Sequence, residues 1–274
     1  MASNLTTIGL DGGTTDSFDK LMQHLVGAAR ERLASDPGDY SIWRSATGAE
    51  VWFHVTGTRE ADGRLQDGEI IGFTPFFEGM SDVDIEIDAG FQRPGENPFE
   101  GAFRAWVAPD PANGRGVHQI VFDCIDFAAH RNRELPIRCH AKLTAFARHI
   151  TAYADENDYY DCQFENQKHT GRAFIALGLH GAGTDAGRGH VHDSALTLDV
   201  ALSATLPSSD ATLVGAVEHR LLTDPDGGAP FYWLLVDSLG ATFDVVADPS
   251  IITGSIVDGS TVDVRCVMFG RLID

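Results

Sequence analysis

Lysine is nearly missing from this chain: it occurs three times in 274 residues, and no basic cluster is longer than Arg131-Asn132-Arg133. A protein that grips a phosphate backbone displaces counterions with clustered Lys and Arg. Direct binding to nucleic acid or to an anionic membrane surface is therefore not expected. No apolar run approaches the ~20 residues that span a bilayer. The start, from Met1 to Thr7, has no basic segment leading into a long apolar one. A soluble, cytoplasmic protein is the expectation. None of the four cysteines, Cys124, Cys139, Cys162 and Cys266, belongs to a C-x-x-C pair. Neither a thiolate zinc site nor a disulfide framework is expected, only isolated thiols. Also missing are the G-x-S-x-G elbow of serine hydrolases, the P-loop with its lysine, and the Rossmann G-x-G-x-x-G.

What the chain has in excess is acid. Asp and Glu number 40 against 20 Lys and Arg, a formal net charge of -20. Such a field favours a basic protein, a cation or a neutral ligand. Apolar residues make up 43%, enough for a packed core in a chain of this length.

Two segments carry helical periodicity. From Ser17 to Leu33, with Asp16 as N-cap, Phe18, Leu21, Met22, Leu25, Ala29 and Leu33 fall on one stripe. From Cys139 to Ala154, Leu143, Phe146, Ala147, Ile150, Tyr153 and Ala154 share a face, which sets His140 and His149 on opposite sides. Most of the rest reads as short strands separated by turns: 40–44, 50–56, 69–78, 82–88, 102–108, 117–125 and 172–180. Beyond a glycine-rich stretch, Leu196 to Leu202 and Val262 to Met268 alternate with period two, and Phe231 to Val236 is apolar throughout. The fold expected is α+β, mainly antiparallel β with two packed amphipathic helices. It divides into an α+β module over 1–180, a glycine-rich linker or loop over 181–193, and a small β module over 194–274 docked on the first. The last is expected to be a barrel or sandwich, with an OB-like barrel one option. No internal repeat is evident.

Chemistry concentrates, if anywhere, between 180 and 193. His180, His190, His192 and Asp193 are good ligands for a divalent metal ion, and in an extended segment His190 and His192 project to one face. His190-Val191-His192-Asp193 partly resembles the H-x-H-x-D-H pattern of the metallo-β-lactamase family. The acid comes one residue early and the next histidine is absent, so only a generic metal site is implied. Asp82, Asp84, Glu86 and Asp88 alternate with Val83, Ile85 and Ile87, an acidic face that must be solvated or neutralised. Glu78 follows an aromatic run, where burial would raise a carboxyl pKa. The leading functional expectation is a non-enzymatic binding or protein-interaction protein with an acidic surface, suited to a basic protein partner. The alternative is a metal-dependent hydrolase using the His/Asp cluster at 180–193.

Overall fold

The structure, a computed structural model, describes residues 4–10, 13–61, 63, 65–92, 95, 97–170, 175–181, 207–225 and 227–273. It is α+β and mainly β. The first sheet is an antiparallel meander of β1 (Glu31–Ser35), β2 (Gly38–Arg44), β3 (Ala49–Arg59) and β4 (Leu65–Phe77). Gly48 turns the chain between β2 and β3 at φ +94°, a conformation that favours glycine. The second sheet holds β5 (Val83–Phe91), β6 (Ala102–Val107), β7 (His118–Cys124), β8 (Ile137–Tyr153), β9 (Gly178–Gly181), β10 (Asp210–Thr223), β11 (Phe231–Ser238), β12 (Ala241–Ala247), β13 (Ile252–Thr253) and β14 (Thr261–Ile273).

The first helix, α1 (Thr15–Ala28), starts and stops earlier than its stripe predicts. Thr14, not Asp16, is the N-cap: its hydroxyl accepts from the N–H of Ser17. At the other end the Arg30 guanidinium donates to the carbonyls of Gly27 and Ala29, and Leu33 lies on β1. Phe18, Leu21, Met22 and Leu25 do pack inward.

The second expected helix is not a helix. Residues 137–153 form β8, the longest strand. Leu143, Ala145 and Ala147 are buried in one core while Phe146, facing the other way, is buried in a second. Thr144 between them is also buried and donates to the carbonyl of Phe77. A strand covered on both faces loses its period of two and reads as a continuous apolar run. The helix that does exist there, α3 (Glu156–Thr170), buries only Tyr159 and so has no stripe to read. A single turn, α2 (Phe127–His130), precedes β8.

β8 and β14 form one long antiparallel ribbon, with Thr144 opposite Phe269. At one end of the ribbon, β8 pairs with β5 and β14 with β7, and β6 joins those two. At the other end, β14 pairs with β10 and β8 with β12, and β11 joins those two. The pairing thus closes on itself twice. Each strand has a counterpart: β5, β6, β7 and β8 in one set match β10, β11, β12 and β14 in the other. Registers match as well, since Val83 opposite Ala141 corresponds to Ala211 opposite Cys266. The pattern of pairing repeats where the sequence shows no repeat, because inward positions need only be apolar. Strands from before residue 181 and after residue 207 share this sheet.

One core fills the inward side of the second sheet, with Phe122 and Phe243 at corresponding places. The other lies where the first sheet and α1 cover its outer side, packing Trp52 and Phe77 with Phe146, Trp233 and Phe269. Among the described residues no helix is long and apolar enough to cross a membrane. None of the four cysteines, all of them described residues, is in a disulfide, and Cys124 and Cys266 are buried.

Candidate functional site

Between the two sheets lies a cavity of about 290 Å³. β4 supplies Phe73, Thr74 and Pro75; the entry to β6 supplies Glu100 to Ala102; β7 supplies Asp123 and Cys124. The approach to β10 adds Pro207 to Ser209, β14 adds Phe269, and Asn4 and Phe91 complete the wall. Its polar groups are carboxylates, hydroxyls and an amide, and no Lys, Arg or His is among these residues. The Ser209 hydroxyl donates to Asp123 Oδ2 at 2.9 Å. The Oδ1 of Asn4 is buried and accepts no hydrogen bond among the described residues. A cavity rich in acceptors is matched by a ligand rich in N–H or O–H donors.

His54 stands behind the wall. It is fully buried, with Nδ1 2.7 Å from Asn97 Nδ2 and Nε2 3.3 Å from the Thr74 hydroxyl. The Asn97 amide donates to Nδ1, so as assigned the ring carries its proton on Nε2. Burial lowers the pKa to about 4 and keeps the imidazole neutral. The ring stacks on Phe99 at 5.1 Å, and Tyr40, whose hydroxyl donates to the Phe99 carbonyl, packs edge-on against it.

An ion cluster centred on the buried Glu50 joins the sheets. Arg44 Nε on β2 lies 2.6 Å from Glu50 on β3, and Arg44 and Arg271, from β14, hold Glu78 at 3.0 and 2.8 Å. The Trp52 indole N–H donates to Glu50 at 2.6 Å. Burial, helped by a hydrogen bond shared with Glu78, pushes Glu50 up to about 7 against the pull of Trp52 and Arg44. Burial would also raise Glu78, but that shared bond and the two guanidiniums outweigh it and hold Glu78 below its ordinary value. The acid with the raised pKa is thus Glu50, not the Glu78 favoured by its aromatic neighbours in sequence.

Cys124, Asp126 and His130 resemble a nucleophile array only in outline. The thiol donates to Asp126 Oδ1 at 3.0 Å, and His130 Nε2 lies 3.0 Å from Oδ2. Burial, chiefly, and the adjacent carboxylate raise the thiol well above its ordinary pKa. A protonated, buried thiol is a poor nucleophile.

Of the expected metal ligands, His190, His192 and Asp193 lie outside the described residues. His180 is on β9, where Nε2 is 3.0 Å from the Ala176 carbonyl. Among the described residues no group of three or more His, Cys, Asp or Glu is arranged to hold a metal ion. Two acids of β5 pair with arginines, Asp84 with Arg138 and Asp88 with Arg104 at 2.7 Å, and Asp82, just before the strand, lies 2.8 Å from His140. The Arg138 hydrogen bond holds Asp84 below its ordinary pKa. His140 and His149 lie on β8, not on opposite sides of a helix.

A second recess, about 390 Å³, opens beside the end of α1. Phe53, Val55, Leu65 and Ile70 line it together with Arg30 and Arg32, so its polar character is of mixed sign. The chain matches no family model, no curated protein and no solved structure.

Proposed function

We propose that this chain is a non-enzymatic binding protein that holds a small molecule in the cavity between its two sheets. The observation that carries this reading is the wall itself, which has acceptors on three elements. The circuit of β10, β11, β12, β14 and the end of β8 is read as a small barrel, OB-like in its five strands. That likeness alone assigns no function. The basic protein partner suggested by composition remains a companion proposal. Its charges would mainly set on-rate and salt sensitivity.

A thermal-shift screen of cationic, neutral and anionic small molecules tests the reading. At least one class should raise Tm in a saturable way. Binding that survives filling the cavity with Ala102→Phe would refute it. Elemental analysis separates it from a hydrolase built on His180, His190, His192 and Asp193: stoichiometric metal, lost in His192→Ala, would favour the hydrolase.

A further inference from the structure

Arg44 and Glu50 face each other across β2 and β3, and Glu78 follows the end of β4. Arg44 meets the two acids with neighbouring nitrogens. Its Nε lies 2.6 Å from Oε1 of Glu50 and its Nη2 3.0 Å from Oε2 of Glu78. Those nitrogens form a fork that one carboxylate ordinarily bridges with both of its oxygens. Here the two oxygens come from different side chains. The fork draws the carboxyls together, and they lie within hydrogen-bonding reach of each other. Ionised carboxylates only accept, so a bond between two of them requires a proton. The Trp52 indole occupies the other oxygen of Glu50, Oε2, which leaves Oε1 for that proton.

We propose that Glu50 and Glu78 share one proton and form a pH-operated latch between the first sheet and the β8–β14 ribbon. The ribbon's side of the latch is Arg271, 2.8 Å from Oε1 of Glu78. With the proton in place, the pair carries one negative charge between Arg44 and Arg271. The other charged groups around it are Glu31 on β1, 3.7 Å from Arg44, and Lys142 on β8, opposite Arg271 in the ladder. Asp244 on β12 lies just past Glu78 and accepts from the N–H groups of Met80 and Ser81.

Loss of the proton sets two negative charges against each other at a place where the Glu50 side chain is fully buried. Glu50 cannot turn to water. The backbone beside Glu78 is pinned: the Phe77 carbonyl accepts from Thr144, the Glu78 N–H donates to the Gly48 carbonyl, and Asp244 holds the next two N–H groups. The Glu78 side chain, 24% exposed, is the part that swings outward with Arg271, and water then enters beside Glu50 and Trp52. Burial, chiefly, and the bond to Glu78 raise Glu50 to about 7. The latch is therefore closed in mildly acidic solution and opens as pH rises through neutrality. It does not depend on what the cavity holds. It does lie at the end of the strand that supplies Phe73, Thr74 and Pro75 to the cavity wall, and so sets how firmly that wall is seated.

Infrared difference spectra between pH 6 and 8 test the shared proton. The wild type should show the carbonyl stretch of a protonated carboxyl at pH 6 and lose it by pH 8. Glu50→Gln should lack the band. Glu78→Gln should move its loss to lower pH, because Arg44 then acts on Glu50 without an opposing carboxylate. A wild type without the band overturns the shared proton. So does a midpoint unchanged in Glu78→Gln, which would leave burial alone as the cause. Hydrogen exchange tests the latch. Corrected for the base-catalysed rate, amides of 44–52 and 76–80 should exchange severalfold faster at pH 8 than at pH 6 in the wild type, and equally at both in Glu50→Gln. Wild-type exchange without that excess overturns the latch, even where the band is present. The two wild-type measurements decide the matter if either variant folds poorly.

Discussion

Two buried titratable side chains pull stability in opposite directions with pH. His54 has its pKa lowered from 6.5 to about 4, so the unfolded chain binds the proton more readily. Its contribution is fully present above 6.5 and is lost as pH falls through 4, a change of about 3 kcal/mol at most. Glu50 is raised from 4.5 to about 7, so the folded chain binds the proton more readily. Its contribution is present below 4.5 and is lost as pH rises through 7. Between pH 4.5 and 6.5 the two slopes cancel, so stability from urea midpoints measured from pH 4 to 8 should stay nearly level there and fall by no more than about 1 kcal/mol on either side. His54→Gln should leave a stability that falls steadily from pH 4.5 to 7, and Glu50→Gln one that rises steadily from pH 4 to 6.5. If both variants keep the wild-type profile, the burial of these two groups is not what sets it. The Asn97–His54–Thr74 chain also supports Thr74 in the cavity wall, so His54→Gln is expected to weaken ligand binding less than Asp123→Asn.

Individual elements differ in how far their sequence betrays them. Thr14→Ala should cost α1 about 1 kcal/mol and Asp16→Ala only a few tenths, because the Thr14 hydroxyl, not the Asp16 carboxylate, meets a first-turn N–H. On β8, Leu143→Ala should cost about 2–5 kcal/mol, as for a fully buried leucine, whereas exposed His149→Ala should stay within about 0.5 kcal/mol. A helix over 139–154 would also bury Leu143, so a far-UV spectrum dominated by strand completes the test. β5 to β7 were legible because one face is less buried and the alternation survives, and β2 and β3 from the turn at Gly48 between them. β8 was not, since its middle buries Thr144 and Phe146 toward the first sheet on one side and Leu143 and Ala145 in the inward core on the other. α3 failed from the opposite cause, being too polar to show a stripe. Its ends were readable: Asp155 accepts from the N–H of Asp158, acids open the first turn, and Lys168 and His169 close the last. The cavity could not be read from any local segment, because Asn4, Thr74, Glu100, Asp123 and Ser209 are brought together only by strand pairing.

At the scale of the whole molecule, the exchange of β8 and β14 between the two strand sets governs how the chain can be divided. β8 follows β5 to β7 in sequence but pairs with β12 and lies along the full length of β14. β14 follows β10 to β12 but pairs with β7. Neither set can close its circuit with its own strands. A fragment ending at residue 181 would leave the β14-facing side of β8 as a long, unpaired and apolar edge, the kind that recruits other chains. Fragments 1–181 and 207–274 are therefore expected to aggregate or to melt without cooperativity when expressed separately, despite the length of the first. Expressed together, they should associate and recover a single melting transition, since contacts such as that of Ser209 with Asp123 join different fragments and form only in the complex. Cooperative folding of 1–181 by itself would mean that the ribbon contributes less than its pairing implies. The charge balance bears on the same experiment: with net charges of -11 on 1–181 and -7 on 207–274, their association should strengthen as KCl screens the repulsion between them. Weakening with salt would instead assign the association to ion pairs such as Glu78–Arg271, which cross from one fragment to the other.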